Sequence, residues 1–354
     1  MTKDLGAAPI GQLAIARNEF MTQARLIFVT DLIADAMEPE RRVLEGCADV
    51  VALNAKQEDD LIGHIEDADA IMIYHTIVIT RKTIERLRKC KLIVRCGVGY
   101  DNVDHAFARS RGIPVGNIPD YGTEEVADSA IGLMLALVRG IAYLNSRLRA
   151  GSGPWSHAQV VPLHRLRDQI FAVVGLGRIG TAAAVRAKVL GMDVVFYDPY
   201  KPDGYDRAMG VRRAEHLDLL LEQAFVLSLH CPLTDETHHL IDHKALEKME
   251  DNRYLINTSR GSVVDTAVIP DAIAGGKLAG AGIDVLAQEP PAAPPDQDPL
   301  IAAWRDPQHP AHHRVIINPH AAFYCEQGLV DIRIKAAEAC RRAIEGLPLR
   351  NIIN

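Results

Sequence analysis

The chain has 354 residues, 48% hydrophobic and 24% charged, which is the composition of a soluble globular protein large enough for two cores. Its formal net charge of −7 leaves no basic surplus to neutralise phosphates, so direct nucleic-acid binding is not expected. The longest apolar stretch, SAIGLMLALV at 129–138, is far too short to span a bilayer and reads as a buried helix, so no membrane partner is expected either.

In chain order, the first segment contains acids and lacks an apolar core followed by a small-residue cleavage site. It does not read as a signal peptide, and a cytoplasmic location is the expectation. Residues 1–23 read as a flexible extension. From Arg25 onward, strand-like runs (RLIFVTD, ADVVALN, AIMIYH, KLIVRCG, IPVGNI) alternate with amphipathic segments such as TRKTIERLRK. A helical pattern over about 123–149 and the break GSGPW separate this series from a second one: QIFAVVG, DVVFYD, FVLSLHC, RYLINTS, GAGIDV and RVIINPH. The spacing predicts two α/β units. A final helix-period segment, EQGLVDIRIKAAEACRRAIEGL, has no strand after it, and packing it back on the first unit would make that unit discontinuous. Six cysteines without a CxxC pair suit reduced, buried thiols and give no zinc pattern; no metal site is expected.

The most informative stretch is IFAVVGLGRIGTAAAVRAKVLGMDVVFYDPY. Gly175, Gly177 and Gly180 form GxGxxG between a strand and a helix, and Asp198 closes the next strand 18 residues beyond Gly180. The glycines permit a tight turn, close approach of the backbone to a pyrophosphate, and close helix-on-strand packing, while the helix N-terminus offers unpaired N–H groups. A carboxylate at the Asp198 position can accept both hydrogen bonds of an adenosine ribose and repels a 2′-phosphate, which favours NAD over NADP.

Three polar side chains end strands of the second unit: Arg260 after YLINTS, Glu289 after GIDVLAQ, and His320 after VIINP. Strand carboxyl ends are where open α/β sheets place their ligands. Taken singly, each has a structural explanation as a surface charge, a solvated acid or a packed imidazole. Taken together, they suggest a guanidinium that grips a carboxylate, an imidazole that exchanges a proton, and an acid that orients and charges the imidazole, which would raise its pKa.

The strings RCGVGYDNVD, VVGLGRIG, VVFYDPY, LHCPLTDETHHLI, INTSRGSVVD, GIDVLAQEPP and NPHAAFYCEQG, in this order, resemble the D-isomer-specific 2-hydroxyacid dehydrogenase family over nearly the whole chain. IYHTIVITR, YDPYKPDG and HAAFYCEQ look most like its C-terminal-binding-protein branch, NAD(H)-dependent relatives that act in animals as corepressors. The resemblance implies a Rossmann-type cofactor domain, residues 126–320, inserted in a flavodoxin-like α/β substrate domain made of 1–125 and 321–354. It implies Arg260, Glu289 and His320 as catalytic residues. It assigns cofactor contacts to Gly175, Gly177, Arg178, Ile179, Gly180, Asp198, His230, Cys231, Pro232, Thr237, Thr258, Ser259 and Asp284. Tyr74, His75, Arg95, Gly97, Val98, Gly99 and Phe323 would line the substrate side. The cofactor implied is NAD, the ligand a small 2-oxo or 2-hydroxy acid, and the assembly a homodimer.

The implied reaction is hydride transfer to C2 of a 2-oxo acid with His320 as general acid, and the reverse for oxidation. An NADH-sensing, non-catalytic scaffold is the alternative. Three positions depart from the corepressor branch: Phe323 stands where that branch has tryptophan, Ala130 where it has a nicotinamide-side threonine, and Val98 where it has serine. The Pro-rich segment 290–313 reads as a rigid surface loop or a cover near the site, with Trp304 as its anchor.

Overall fold

A computed structural model describes residues 25–291 and 297–354. The expected N-terminal extension and part of the Pro-rich segment lie outside these residues. The chain forms two compact units. One comprises the described residues up to Cys96, Asn102–Gly116 and Ala336–Asn354; the other comprises Gly97–Asp101 and Asn117–Lys335.

In the first unit the elements are β1 (Leu26–Val29), α1 (Glu38–Leu44), β2 (Asp49–Ala52), β3 (Ala70–Ile73), α2 (Arg81–Ile84), β4 (Ile93–Arg95), α3 (His105–Ser110) and β5 (Val115–Asn117). The sheet runs β2-β1-β3-β4-β5, the flavodoxin order, and the β1–β2, β1–β3 and β3–β4 pairs are parallel. All four residues of β3 (AIMI) are buried, as expected of a parallel strand covered on both faces. The buried Asp31 just beyond β1 accepts hydrogen bonds from the backbone N–H groups of Tyr74, Thr76 and Ile77, and Asn102 donates to the Tyr74 and Ile77 carbonyls. These bonds fix the turn after β3 that carries Tyr74 and His75. Arg95, at the end of β4, is buried and donates to the Cys96 carbonyl. The C-terminal segment closes the unit: Ile352 bridges Gly116 antiparallel, and Asn354 bonds Val115 N–H and the His105 carbonyl.

The second unit contains α4 (Thr123–Val138), α5 (Ile141–Arg149), β6 (Ile170–Val174), α6 (Arg178–Val189), β7 (Asp193–Tyr197), α7 (Tyr205–Met209), β8 (Arg212–Arg213), α8 (Leu217–Gln223), β9 (Val226–Leu229), α9 (His243–Lys248), β10 (Arg253–Asn257), α10 (Ile269–Ala274), β11 (Leu278–Ile283), α11 (Pro299–Arg305) and β12 (Val315–Ile317). The last helix, α12 (Glu326–Glu345), starts in this unit and ends in the first. The seven strands run β12-β11-β10-β9-β6-β7-β8, all parallel. This is the doubly wound dinucleotide-binding order with one further strand, and the order reverses between β6 and β9. Alternation along β6 divides the core. Phe171 and Val173 pack with α4 and α6 on one face, while Ala172 and Val174 pack with α8 and α9 on the other.

All eleven strand-like runs are strands. The structure differs from the sequence reading in four places. First, the pattern over 123–149 is not one helix: it breaks at Gly140, with a 62° bend between α4 and α5. Gly140 has φ 62, and a Cβ there would lie 2.8 Å from a methyl of Val160, so the break needs glycine on both conformational and steric grounds. Second, the units divide at 116/117 and 335/336 rather than 125/126 and 320/321. The start of α12 packs within the second unit, where Cys325 donates to Glu125 and Lys335 pairs with Asp120. Third, the two-residue strand β8 is charged and too short to show a pattern. Fourth, the described part of the Pro-rich segment is not a plain loop: it contains α11, whose Leu300 and Ile301 are buried and whose Trp304 packs against the core. Among the described residues, no single helix is long and apolar enough to cross a membrane.

Gly140→Ala should cost ~1–2 kcal/mol for the left-handed backbone alone, with the Val160 contact adding to it. A thermal midpoint lowered by several degrees, followed by circular dichroism, checks this; an unchanged midpoint would mean the break does not depend on glycine.

Candidate active site

The glycine turn after β6 shows why its sequence is constrained. Gly175 has φ 87, and a Cβ on it would lie 2.8 Å from the Cys231 backbone nitrogen. A Cβ on Gly180 would collide with the Gly175 carbonyl oxygen. The turn is therefore packed backbone to backbone against itself and against the His230–Cys231 segment that follows β9. Gly177 is the residue before the first turn of α6, and Arg178 and Ile179 open that helix, whose leading N–H groups lack intrahelical partners. At the end of β7 both oxygens of Asp198 are engaged by backbone N–H groups: Oδ2 by Leu176 in the glycine turn at 2.9 Å, and Oδ1 by Tyr200 at 3.0 Å. Each oxygen keeps a lone pair for a ribose hydroxyl.

Three buried polar atoms in this unit have no hydrogen-bond partner among the described residues: Thr123 Oγ1 at the start of α4, and Thr258 Oγ1 and His230 Nδ1 on strand ends. His230 bonds Ser228 Oγ through Nε2 at 2.8 Å, and burial pushes its pKa down to about 4, so the imidazole is neutral near pH 7. Buried polar atoms are normally satisfied. Orphaned atoms on the strand ends beside the glycine turn, together with a turn shaped for close backbone approach, fit a bound dinucleotide. Cys231 is buried, with its thiol pKa raised to about 11 by burial, so it is inert as a nucleophile. Thr237 caps its own turn by donating to the Pro232 carbonyl at 2.6 Å.

Arg260 follows β10. Buried Asn257 shapes the loop before it, accepting from the Ser259 N–H and hydroxyl and donating to the Arg260 carbonyl. The guanidinium donates from Nε to Asp101 at 3.0 Å and from Nη1 to the Ser259 carbonyl at 2.8 Å. Nη2 occupies the space a side chain on Gly99 would fill. The Gly97–Asp101 strand-end turn thus belongs with Arg260, and the Asn117 side chain ties it down by donating to the Val98 carbonyl at 2.7 Å. The sequence reading missed Asp101, which is 159 residues from the arginine it holds.

His320 has φ 51, a left-handed backbone that costs a non-glycine residue ~1–2 kcal/mol. Asp284 sustains it from the end of β11: its carbonyl accepts the His320 N–H at 2.7 Å, and its carboxylate accepts the N–H groups of Ala321 and Ala322 at 3.0 and 3.1 Å. Burial raises the Asp284 pKa even against these donors and the nearby His320. The expected cofactor contact is thus also the anchor of the histidine turn. Glu289 binds His320 Nδ1 at 2.6 Å through one oxygen and the Leu286 N–H at 2.7 Å through the other. Burial acts to raise the Glu289 pKa, but the hydrogen bond and charge of His320, the Leu286 N–H and Arg260 outweigh it, so the carboxyl lies below its ordinary value. Phe323 meets the His320 ring edge-on at 6.0 Å and the Tyr121 ring at 6.1 Å. Tyr121 is a second aromatic residue that the sequence reading did not single out.

The second unit therefore gathers the glycine turn, Asp198, His230, Cys231, Pro232, Thr237, Thr258, Ser259, Asp284, Arg260, Glu289, His320, Phe323 and the Gly97–Gly99 turn. Tyr74, His75 and Arg95 belong to the first unit, at the ends of β3 and β4. Among the described residues no group of His, Cys, Asp or Glu could hold a metal ion.

Residues 131–322 match the family model described as D-isomer specific 2-hydroxyacid dehydrogenase, NAD binding domain. A D-3-phosphoglycerate dehydrogenase of Methanocaldococcus jannaschii is 32% identical over 93% of this chain, which spans 59% of that relative's length. A glyoxylate reductase of Korarchaeum cryptofilum is 37% identical, with 74% of this chain and 75% of the relative covered. Among solved structures, a glyoxylate reductase from Paecilomyes thermophila superposes with a TM-score of 0.80 at 26% identity, covering 94% of this chain and 98% of its own. A D-lactate dehydrogenase from Aquifex aeolicus, complexed with NAD and lactic acid, gives 0.79 at 26%, covering 90% and 96%. The corepressor branch and the scaffold alternative gain no support from these relatives.

Gly180→Ala should remove NADH binding, because the added methyl displaces the Gly175 carbonyl and reshapes the turn. Fluorescence titration with NADH, on protein whose circular dichroism matches the parent, reads this out; retained affinity would overturn the assignment of the turn.

Proposed function

Because the chain belongs to the D-isomer specific 2-hydroxyacid dehydrogenase family and contains its NAD-binding domain, we propose that it interconverts a small 2-oxo acid and the corresponding D-2-hydroxy acid. The observation that carries this reading is the 2.6 Å bond between His320 Nδ1 and Glu289, beside an arginine already braced on two sides.

The glycine turn and the start of α6 would hold the pyrophosphate, Asp198 the ribose, and Thr258 the nicotinamide half. Bound dinucleotide supplies or accepts the hydride at C2 of the substrate. With Nε committed to Asp101 and Nη1 to Ser259, Arg260 keeps Nη2 for the substrate's carboxylate or carbonyl oxygen, and the Gly97–Gly99 turn adds backbone N–H groups. Glu289 occupies Nδ1 of His320, so Nε2 is the nitrogen that exchanges a proton with the substrate oxygen. In reduction the imidazolium gives that proton to the developing alkoxide; in oxidation the neutral ring takes it from the hydroxyl. Since the Glu289 pKa lies below its ordinary value, the pair keeps its carboxylate well into acid, and the support it gives His320 is lost only as pH falls through that lowered value.

The test is NADH oxidation against pyruvate, hydroxypyruvate and an aryl pyruvate, with product chirality determined, and against glyoxylate, whose product is achiral, alongside NAD reduction with 3-phosphoglycerate. At least one substrate should turn over to, or from, the D isomer. His320→Gln should lower turnover ~100-fold or more, the scale for losing a general acid, with NADH affinity nearly unchanged. Tight NADH binding with no turnover on any of these acids would count against the enzyme reading.

We further propose a cytoplasmic homodimer. Ile141 on α5 and Trp155 shortly after it are 58% and 90% exposed, and tryptophan is a residue type that protein–protein interfaces enrich. Light scattering should give twice the 38.8 kDa chain mass, and Trp155→Ser combined with Ile141→Asp should shift the population toward monomer.

A further inference from the structure

The second unit holds a cavity of about 150 Å³ at the opposite edge of its sheet from the glycine turn. The floor is where β10, β11 and β12 begin. The cover is the end of α4, the Gly140 break, α5 and residues 159–164. Its lining includes the apolar Leu137, Val160 and Leu163 and the polar Tyr143, His313 and Arg314.

The charge here is one-sided. No lining residue is acidic, although the chain as a whole carries 46 acids against 39 bases. Arg314 and Arg147 both stand over the Tyr143 ring, at 5.7 and 5.4 Å from its centroid, and the His313 ring meets Tyr143 edge-on at 5.7 Å. Arg147 is fixed by its bond to Gln159, a lining residue, at 2.8 Å, and His313 by Ser146 Oγ at 3.1 Å. Arg314 gives one N–H to the Ala279 carbonyl at 3.3 Å and keeps further donors of its guanidinium fork. Burial, followed by the positive charges of His312 and Arg147, holds the His313 pKa below its ordinary value.

We propose that this cavity is a second ligand site, one that takes a small amphipathic carboxylate with an apolar body and a single anionic head. The guanidinium of Arg314 would receive the carboxylate, and the apolar lining residues Leu137, Val160 and Leu163 would receive the body. A cavity of about this size holds a body the size of a benzene ring. The site uses neither Arg260 nor His320, so it stands or falls separately from the dehydrogenase reading.

Benzoate is the probe, titrated calorimetrically into the full-length protein and into two variants. Arg314→Gln removes the proposed head-group partner, and Arg260→Gln removes the carboxylate grip of the candidate active site. Expected are affinity in the ~mM range for the parent, the same affinity in Arg260→Gln, and at least ~10-fold weaker binding in Arg314→Gln, the scale for losing a charge-assisted hydrogen bond. NADH affinity should be equal in the parent and Arg314→Gln, which confirms that the fold is intact. Binding lost in Arg260→Gln but kept in Arg314→Gln would place benzoate in the catalytic site and overturn the proposal. So would no measurable binding to the parent up to ~50 mM, a range wide enough to detect mM affinity.

Discussion

Buried Asp284 collects three backbone N–H groups of one turn, two on its carboxylate and one on its backbone carbonyl, and everything proposed for His320 depends on that hold. A left-handed histidine is unfavourable on its own. It persists because Asp284 holds the turn at three points, and the N–H of buried Ala322 would otherwise lack an acceptor, a penalty comparable to the strained dihedral. The same short stretch, residues 284–289, supplies Glu289 to the ring itself, so one loop sets both the backbone and the imidazole orientation. Such over-determination is how a fold maintains a strained residue where chemistry is done.

The glycine turn and the arginine loop are built on a different principle, close approach of main chain to main chain or to guanidinium. Gly175 and Gly180 are excluded from carrying side chains by backbone atoms, and Gly99 by Arg260 Nη2. Backbone cannot move aside as a flexible side chain can, so Gly175 and Gly180 tolerate little. Asp101 adds direction: it draws Nε of Arg260 while the Ser259 carbonyl draws Nη1, leaving the guanidinium plane defined before any ligand arrives.

Much of this was legible from residues alone. Strands buried on both faces are nearly continuous Val/Ile runs, so AIMIYH and QIFAVVG announce themselves, and the strand–GxGxxG–helix–Asp sequence carries its own geometry. The break at Gly140 was not legible, because glycine within an unbroken apolar period resembles a tolerated substitution and its cause, Val160, lies twenty residues on. Nor was the arginine's brace: Asp101 is local to a different strand end, and pairing across 159 residues leaves no local trace. The unit boundaries shifted for a similar reason, since α12 reads as one uninterrupted helix while its two halves serve different cores. The acid-free cavity is likewise assembled from strand beginnings and a helix break far apart in the chain.

Asp198 performs two tasks that are usually discussed apart. Its two oxygens join the glycine turn, through Leu176, to the segment after β7, through Tyr200. On the placement of the ribose proposed above, it is also the carboxylate that a 2′-phosphate would confront. Cofactor preference would then be tied to the shape of the glycine turn. Replacing Asp198 by a side chain with no acceptor, to admit a phosphorylated ribose, would also untie that turn and weaken binding of either cofactor. By that route a change of preference would need one replacement to admit the phosphate and another to restore the tie, because the charge facing the ribose and the shape of the turn reside in a single side chain.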